Sequence, residues 1–231
     1  MSSQLQRPSV TADEELAVAI GADRAQMLRL LPTDLRPALA ALFQVDAAMG
    51  DVVARATQPA LGAVKLAWWR ERLEEIDQGV VPAEPRLRAV AKQLLPRGVS
   101  GAEIAVLEDG WATLLEEQVE PQRIAERGAA LFRLGGRLLR AEDEKLGDAG
   151  ALMALVSVGR RGLPDLLDHA RDHEQRLVRH RFARGLRALT ALARLAVRDL
   201  RSGPPFEPEG APPRLAAMLR HRWSGIVTRG D

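Results

Sequence analysis

The feature that most constrains this chain is a helical repeat of apolar residues that recurs almost end to end, with no polar/apolar alternation to compete with it. A first helical segment is expected from about Thr11 to Leu31, broken near Gly21. Pro32-Thr33-Asp34 reads as a stop followed by an N-cap. Asp34 to Ala56 then places Leu39, Leu42, Met49 and Val53 on one stripe. After Thr57-Gln58-Pro59, a helix to about Gln78 turns Leu66, Trp69, Leu73 and Ile76 inward. Arg86 to Leu95 forms another, and Ser100 with Glu103 makes a capping box for a helix through Ile104, Leu107, Trp111 and Leu115.

Pro121 to about Ala141 is expected to be helical, with Gly135-Gly136 kinking it or admitting a neighbour. Ala149 to Val158 follows, then a turn over Gly159 to Pro164. A long helix to Leu200, interrupted near Gly185, precedes a Pro/Gly-rich loop (Ser202 to Pro213) and a last helix from Arg214 to Trp223. The fold class is therefore all-α. The domain is one helical bundle over residues 1–231, with its core at about 31–200 and a C-terminal loop and short helix after it.

Composition excludes several chemistries. The chain has no Cys, so it has no disulfide, thiolate zinc site or Cys nucleophile. Leu and Ala dominate, and there is no Tyr. The formal net charge is +2, although the pI is about 9.6. Only Lys65, Lys92 and Lys145 are lysines, so little titrates between neutral pH and the arginine range. Bulk charge gives no argument for a nucleic-acid partner. Met1 to Val10 is polar and lacks a signal core, and Ala149 to Val158 is too short to span a bilayer. These features predict a cytoplasmic protein, with peripheral contact at the inner membrane face as a further option.

Asp46 is the residue that interrupts the pattern, because its helical neighbours are Leu39, Leu42, Phe43, Met49 and Val53. A buried carboxylate needs hydrogen bonds, a cation or a shifted pKa. It is either a cavity-facing or metal-facing acid or an acid satisfied by an arginine from another helix, and the abundance of arginine favours the second. Asp51 stands four before Arg55 and reads as a surface ion pair. Asp165, Asp168, His169, Asp172 and His173 share a helical spacing that suits a divalent metal. The interleaved Arg171, Arg176 and Arg179 argue instead for a solvated face. Arg176 to Arg187 would attract phosphates or anionic headgroups, or else form the polar side of a helix. No Gly-rich phosphate loop, nucleophile triad or zinc signature is present.

Five segments, read in order, resemble the squalene/phytoene synthase family. Arg36 to Asp46 is similar to the helix of that family's first aspartate motif, and Leu61 to Leu73, with Trp68-Trp69, is similar to its second helix. Leu107 to Trp111, Arg127 to Phe132 and Gly159 to Leu167 resemble later segments. The resemblance implies an isoprenoid synthase bundle around an apolar cavity. Phe43, Met49, Trp69 and Phe132 are its candidate lining, Asp46 is the cavity acid, and Asp46 with Asp51 stand where magnesium ligands belong. Asp165, Asp168 and Asp172 are the alternative metal set.

The departures from the family pattern are substantial. Ala47, Ala48 and Met49 fall near the place of the first aspartate pair, and Leu155 to Gly159 replaces the second acidic run. Magnesium assists diphosphate departure, so the sequence resembles the family's degenerate branch, which includes relatives of a respiratory complex I assembly factor. The expected function is binding an isoprenoid or lipid-like ligand, or an assembly role with a protein partner. The alternative is an active magnesium-dependent head-to-head prenyltransferase acting on prenyl diphosphates.

Overall fold

The computed structural model describes residues 12–230. The polar segment Met1 to Val10 lies outside the described residues. Helices account for the regular structure, and among the described residues the only β pairing is two isolated bridges, Val178 with Thr228 and Arg181 with Ile226.

Helices α1 (Ala12–Ile20) and α2 (Ala22–Arg29) are separated by Gly21, whose φ of 90° favours glycine. Helix α3 (Arg36–Ala54) and α4 (Pro59–Ile76) each have proline in the first turn, where no N–H is needed. By length and composition alone α3 could cross a membrane, with a mean hydropathy of 1.3 over its apolar window. Its stripe of Leu39, Leu42, Phe43 and Met49 is instead fully covered by the core. Helix α5 (Pro85–Gln93) is capped by the Glu84 side chain.

The single helix expected after Ser100 is divided into α6 (Gly101–Ala105), α7 (Asp109–Ala112) and a 3-10 turn over Thr113–Leu115. The capping box forms as expected. The backbone then tightens to i→i+3 bonds at Leu107 and Glu108, a change that leaves the apolar spacing almost untouched. Close packing fixes both ends. A Cβ on Gly101 would lie 1.9 Å from the Leu73 carbonyl oxygen, and one on Gly110 would lie 2.4 Å from Arg127 Cβ.

Helix α8 (Pro121–Leu138) passes through Gly135-Gly136 as one helix, and those glycines admit Leu189 and Leu146 instead of bending it. Helix α9 (Leu146–Gly159) is buried nearly all round, as a central helix must be. It packs against α8, α10 (Leu166–Arg176) and α11 (Arg187–Ser202). The α8–α9 crossing is close enough that a Cβ on Gly128 would lie 2.2 Å from the Gly150 oxygen.

The long helix expected from Pro164 to Leu200 ends at Arg176, earlier than the Gly185 position predicts. Residues 177–183 form an irregular segment, with Arg179 at a φ of 60°, and the C-terminal segment pairs with it: Arg179 N–H donates to Thr228 O and Phe182 N–H to Gly225 O, at 3.0 and 2.9 Å. Helix α12 (Pro212–Ser224) lies on α11 and α2.

Candidate functional site

Helix α3 carries Asp46 into the interior, where it is fully buried. Three groups from three other helices meet it. Arg127 NH1 (α8) donates to Oδ1 at 2.6 Å, Trp111 Nε1 (α7) donates to the same oxygen at 3.0 Å, and Arg24 NH2 (α2) stands 2.9 Å from Oδ2. The Arg127 guanidinium also lies over the Trp111 ring, 3.8 Å from its centroid, and Arg24 lies over Phe43 at 5.2 Å. Burial by itself would raise the Asp46 pKa. The charges of Arg127 and Arg24 and the hydrogen bonds from Arg127 and Trp111 outweigh it and hold the carboxyl below its ordinary value of 3.8.

Arg24 also forms part of the wall of a cavity of about 210 Å³ between α2, α9, α11 and the start of α12. Its apolar floor is Met153, Val156, Leu192, Leu195 and Ala196, and its rim carries Asp23, Arg24, Arg160, Arg161, Asp199, Glu209 and Arg214. A second buried network holds this rim. Arg214 donates through Nε and NH2 to Asp23 Oδ2 at 2.9 and 2.7 Å, and through NH1 to Asp199 Oδ1 at 2.5 Å. Arg160 donates to Asp199 Oδ2 as well. Burial opposes the Arg214 charge, but its hydrogen bonds to Asp199 and Asp23 prevail and keep it protonated.

The sequence candidates fall in different places. Asp46 does not line the cleft, because Arg24 stands between the two. Phe43, Met49 and Phe132 are completely buried and Trp69 nearly so, all packed within the core cluster and none on the cleft wall. Helical spacing marks these positions as inward, and inward residues pack on one another as readily as on a hollow. Asp51 is exposed, 3.6 Å from Arg55. Asp165 and Asp172 are exposed, Asp168 pairs with Arg171, and His173 turns away to Asp148 at 2.9 Å. The spacing of that segment is helical, but its carboxylates point to solvent and do not converge.

Magnesium, which the family resemblance implies for an active synthase, needs several available oxygen ligands. The donor set here does not fit it. Both Asp46 oxygens face guanidinium groups, and so do Asp23 and Asp199. Among the described residues, no three His, Asp or Glu side chains are placed to hold a metal ion. The rim is nevertheless richer in acids than the sequence suggests, since Asp23, Asp199 and Glu209 come together there.

Sequence reasoning singled out Asp46 but missed its partners. The signal was available: Arg127 falls between Ile124 and Leu131, and Asp199 beside Leu195 and Ala196, each a charge within an apolar stripe. Pairing the charged interruptions of separate stripes would have proposed both networks.

The fold and site together define an all-α bundle with an ion-paired interior and a small amphipathic cleft. The squalene/phytoene synthase family model matches residues 18–100, which run from the end of α1 to the cap of α6. Over that stretch, about a third of its length, the chain is similar to the squalene/phytoene synthase family. Neither a curated protein nor a solved structure gives a significant match.

Proposed function

We propose that this protein is a catalytically degenerate squalene/phytoene synthase homologue whose cleft holds an isoprenoid or lipid-like ligand with an anionic head. The observation that carries the reading is the state of Asp46. It is the one interior carboxylate on the helix resembling the first aspartate motif, and two guanidinium groups and an indole N–H already engage it. Releasing it to a metal would leave Arg127 buried without a counter-charge, which costs several kcal/mol.

The cleft supports an amphiphile, because Arg160 and Arg161 stand at the mouth above an aliphatic floor. At about 210 Å³ it falls below the range of roughly 300–1,000 Å³ usual for drug-sized ligands. It therefore encloses only a short apolar segment of a ligand on its aliphatic floor, with the anionic head at the mouth beside Arg160 and Arg161.

The test is incubation of purified protein with farnesyl or geranylgeranyl diphosphate and magnesium. No pyrophosphate release and no condensation product are expected. A raised melting temperature with the same compounds in the absence of magnesium is expected from ligand binding. Steady turnover would overturn the degenerate reading. Absence of any thermal shift would remove the ligand and leave an assembly role.

A further inference from the structure

A second groove lies on the far side of α11 from the cleft floor, closed by α12 and the C-terminal segment. It has a volume of about 660 Å³ and is lined by Arg181, Arg194, Arg201, Arg220 and Arg229 together with Trp223. The described lining contains no Asp or Glu. This differs from every other arginine cluster described above. Arg201 is tied beneath the groove to Glu174 and Thr228, and Arg194 donates to the Val227 carbonyl at 3.0 Å. Arg220 and Arg229 are exposed and meet no carboxylate within ion-pair distance among the described residues. The pKa of Arg194 is pushed down, first by burial and then by the charges of Arg201, Arg220, Arg198 and Arg229. Arg220 and Arg229 add charge beside the paired Arg201, and such an excess of clustered cations raises the local anion concentration.

The apolar side of the same edge is equally unsatisfied. Trp223 is 85% exposed at the end of α12, and Leu219, one helical turn earlier, is 45% exposed. Residues four apart share a helix face. An indole beside an aliphatic side chain, flanked by arginines, suits the boundary between headgroups and acyl chains. Leu219 offers nothing to stack on a nucleobase, which favours a lipid surface over a nucleic acid.

We propose that this groove docks the protein on an anionic lipid surface, with Arg220 and Arg229 taking headgroup phosphates while Trp223 and Leu219 enter the interface. The surface is separate from the cleft, and the inference holds whether or not the cleft binds a ligand. It also places the sequence-level expectation of membrane contact on α12 and the C-terminal segment, and not on the Arg176 to Arg187 run alone.

The test is co-sedimentation of the full chain with phosphatidylcholine vesicles and with vesicles in which a third of that lipid is replaced by phosphatidylglycerol. Binding is expected only to the anionic vesicles, with release at high salt. Reversing Arg220→Glu and Arg229→Glu together should weaken binding by roughly tenfold or more. Trp223→Ala should weaken it several-fold, with partial recovery in Trp223→Phe. All three side chains are exposed, so the melting temperature of each variant serves as a fold control. Equal binding to both vesicle types, wild-type binding by the double reversal, or binding to duplex DNA without vesicle binding would each overturn the proposal.

Discussion

The arginines of the interior and those of the C-terminal groove are the same residue in opposite situations. Arg127 and Arg214 are almost fully buried, and each meets a carboxylate from a different helix. In the groove, Arg220 and Arg229 are exposed, and the lining has no carboxylate. A buried charge is tolerable only when it is paired, so the interior arginines are structural. An exposed charge in water has no such requirement, so Arg220 and Arg229 are available to a partner. Counting arginines says nothing about which are which; only the neighbouring carboxylates do.

Removing a carboxylate from the interior should break this comparison most strongly. Asp46→Ala strands Arg127 in the core, and the expected loss is about 3–5 kcal/mol of stability. Chemical denaturation measures it, and a loss under 1 kcal/mol would mean that the pair contributes little. Asp46→Asn, which keeps an acceptor for Trp111 and Arg127, should lose less.

The next effect is one of pH. His221, beneath the groove, lies 2.8 Å from Thr190 Oγ1 and 3.2 Å from the Ile226 oxygen. Burial, partly offset by the Ile226 hydrogen bond and reinforced by Arg194 and Arg187, pushes its pKa from 6.5 down to about 4. Between those values the unfolded chain binds the extra proton. Stability should therefore fall as pH drops from 6.5 towards 4, by roughly 3 kcal/mol in all, and then level off for this group. His221→Gln should flatten that slope in denaturation series taken across the window. Asp46 acts lower down: its folded pKa lies below 3.8, so its contribution is complete above that value and is lost only at more acid pH.

Gly128→Ala tests whether the Arg127 pair depends on the seating of α8. The new methyl would meet the Gly150 carbonyl at 2.2 Å, against backbone that cannot yield cheaply. A loss of about 1–3 kcal/mol is expected from overpacking. A neutral result would mean that the two helices separate freely at this crossing. The smallest effect belongs to the groove. Arg229→Glu should change stability by no more than about 0.5 kcal/mol, because it removes like-charge repulsion and breaks no pair. A large loss there would show that Arg229 is structural after all.

Helix positions were legible where proline, glycine and capping residues mark them. Pro59, Pro121 and the Ser100–Glu103 box stand where the helices begin. The signal failed where a distant segment competes. Nothing local stops the helix at Arg176; the pairing of residues 225–228 with the chain after it does. The site was half legible. Asp46 was visible as a charge in an apolar stripe, whereas its three partners lie 22 residues before it and up to 81 after it.

Sequence alone determined the all-α class, the inward faces, the absence of thiol chemistry and the poverty of acidic residues at the two places where the family resemblance expects them. Tertiary structure decided what each inward residue meets: Phe43 and Phe132 meet other side chains, Asp46 meets two arginines, and the carboxylates of the cleft rim meet Arg214 and Arg160. The reason is physical. Periodicity reports the direction in which a side chain points, but the electrostatics of a buried charge depend on atoms within a few ångströms. Those atoms come from helices that the local pattern does not connect.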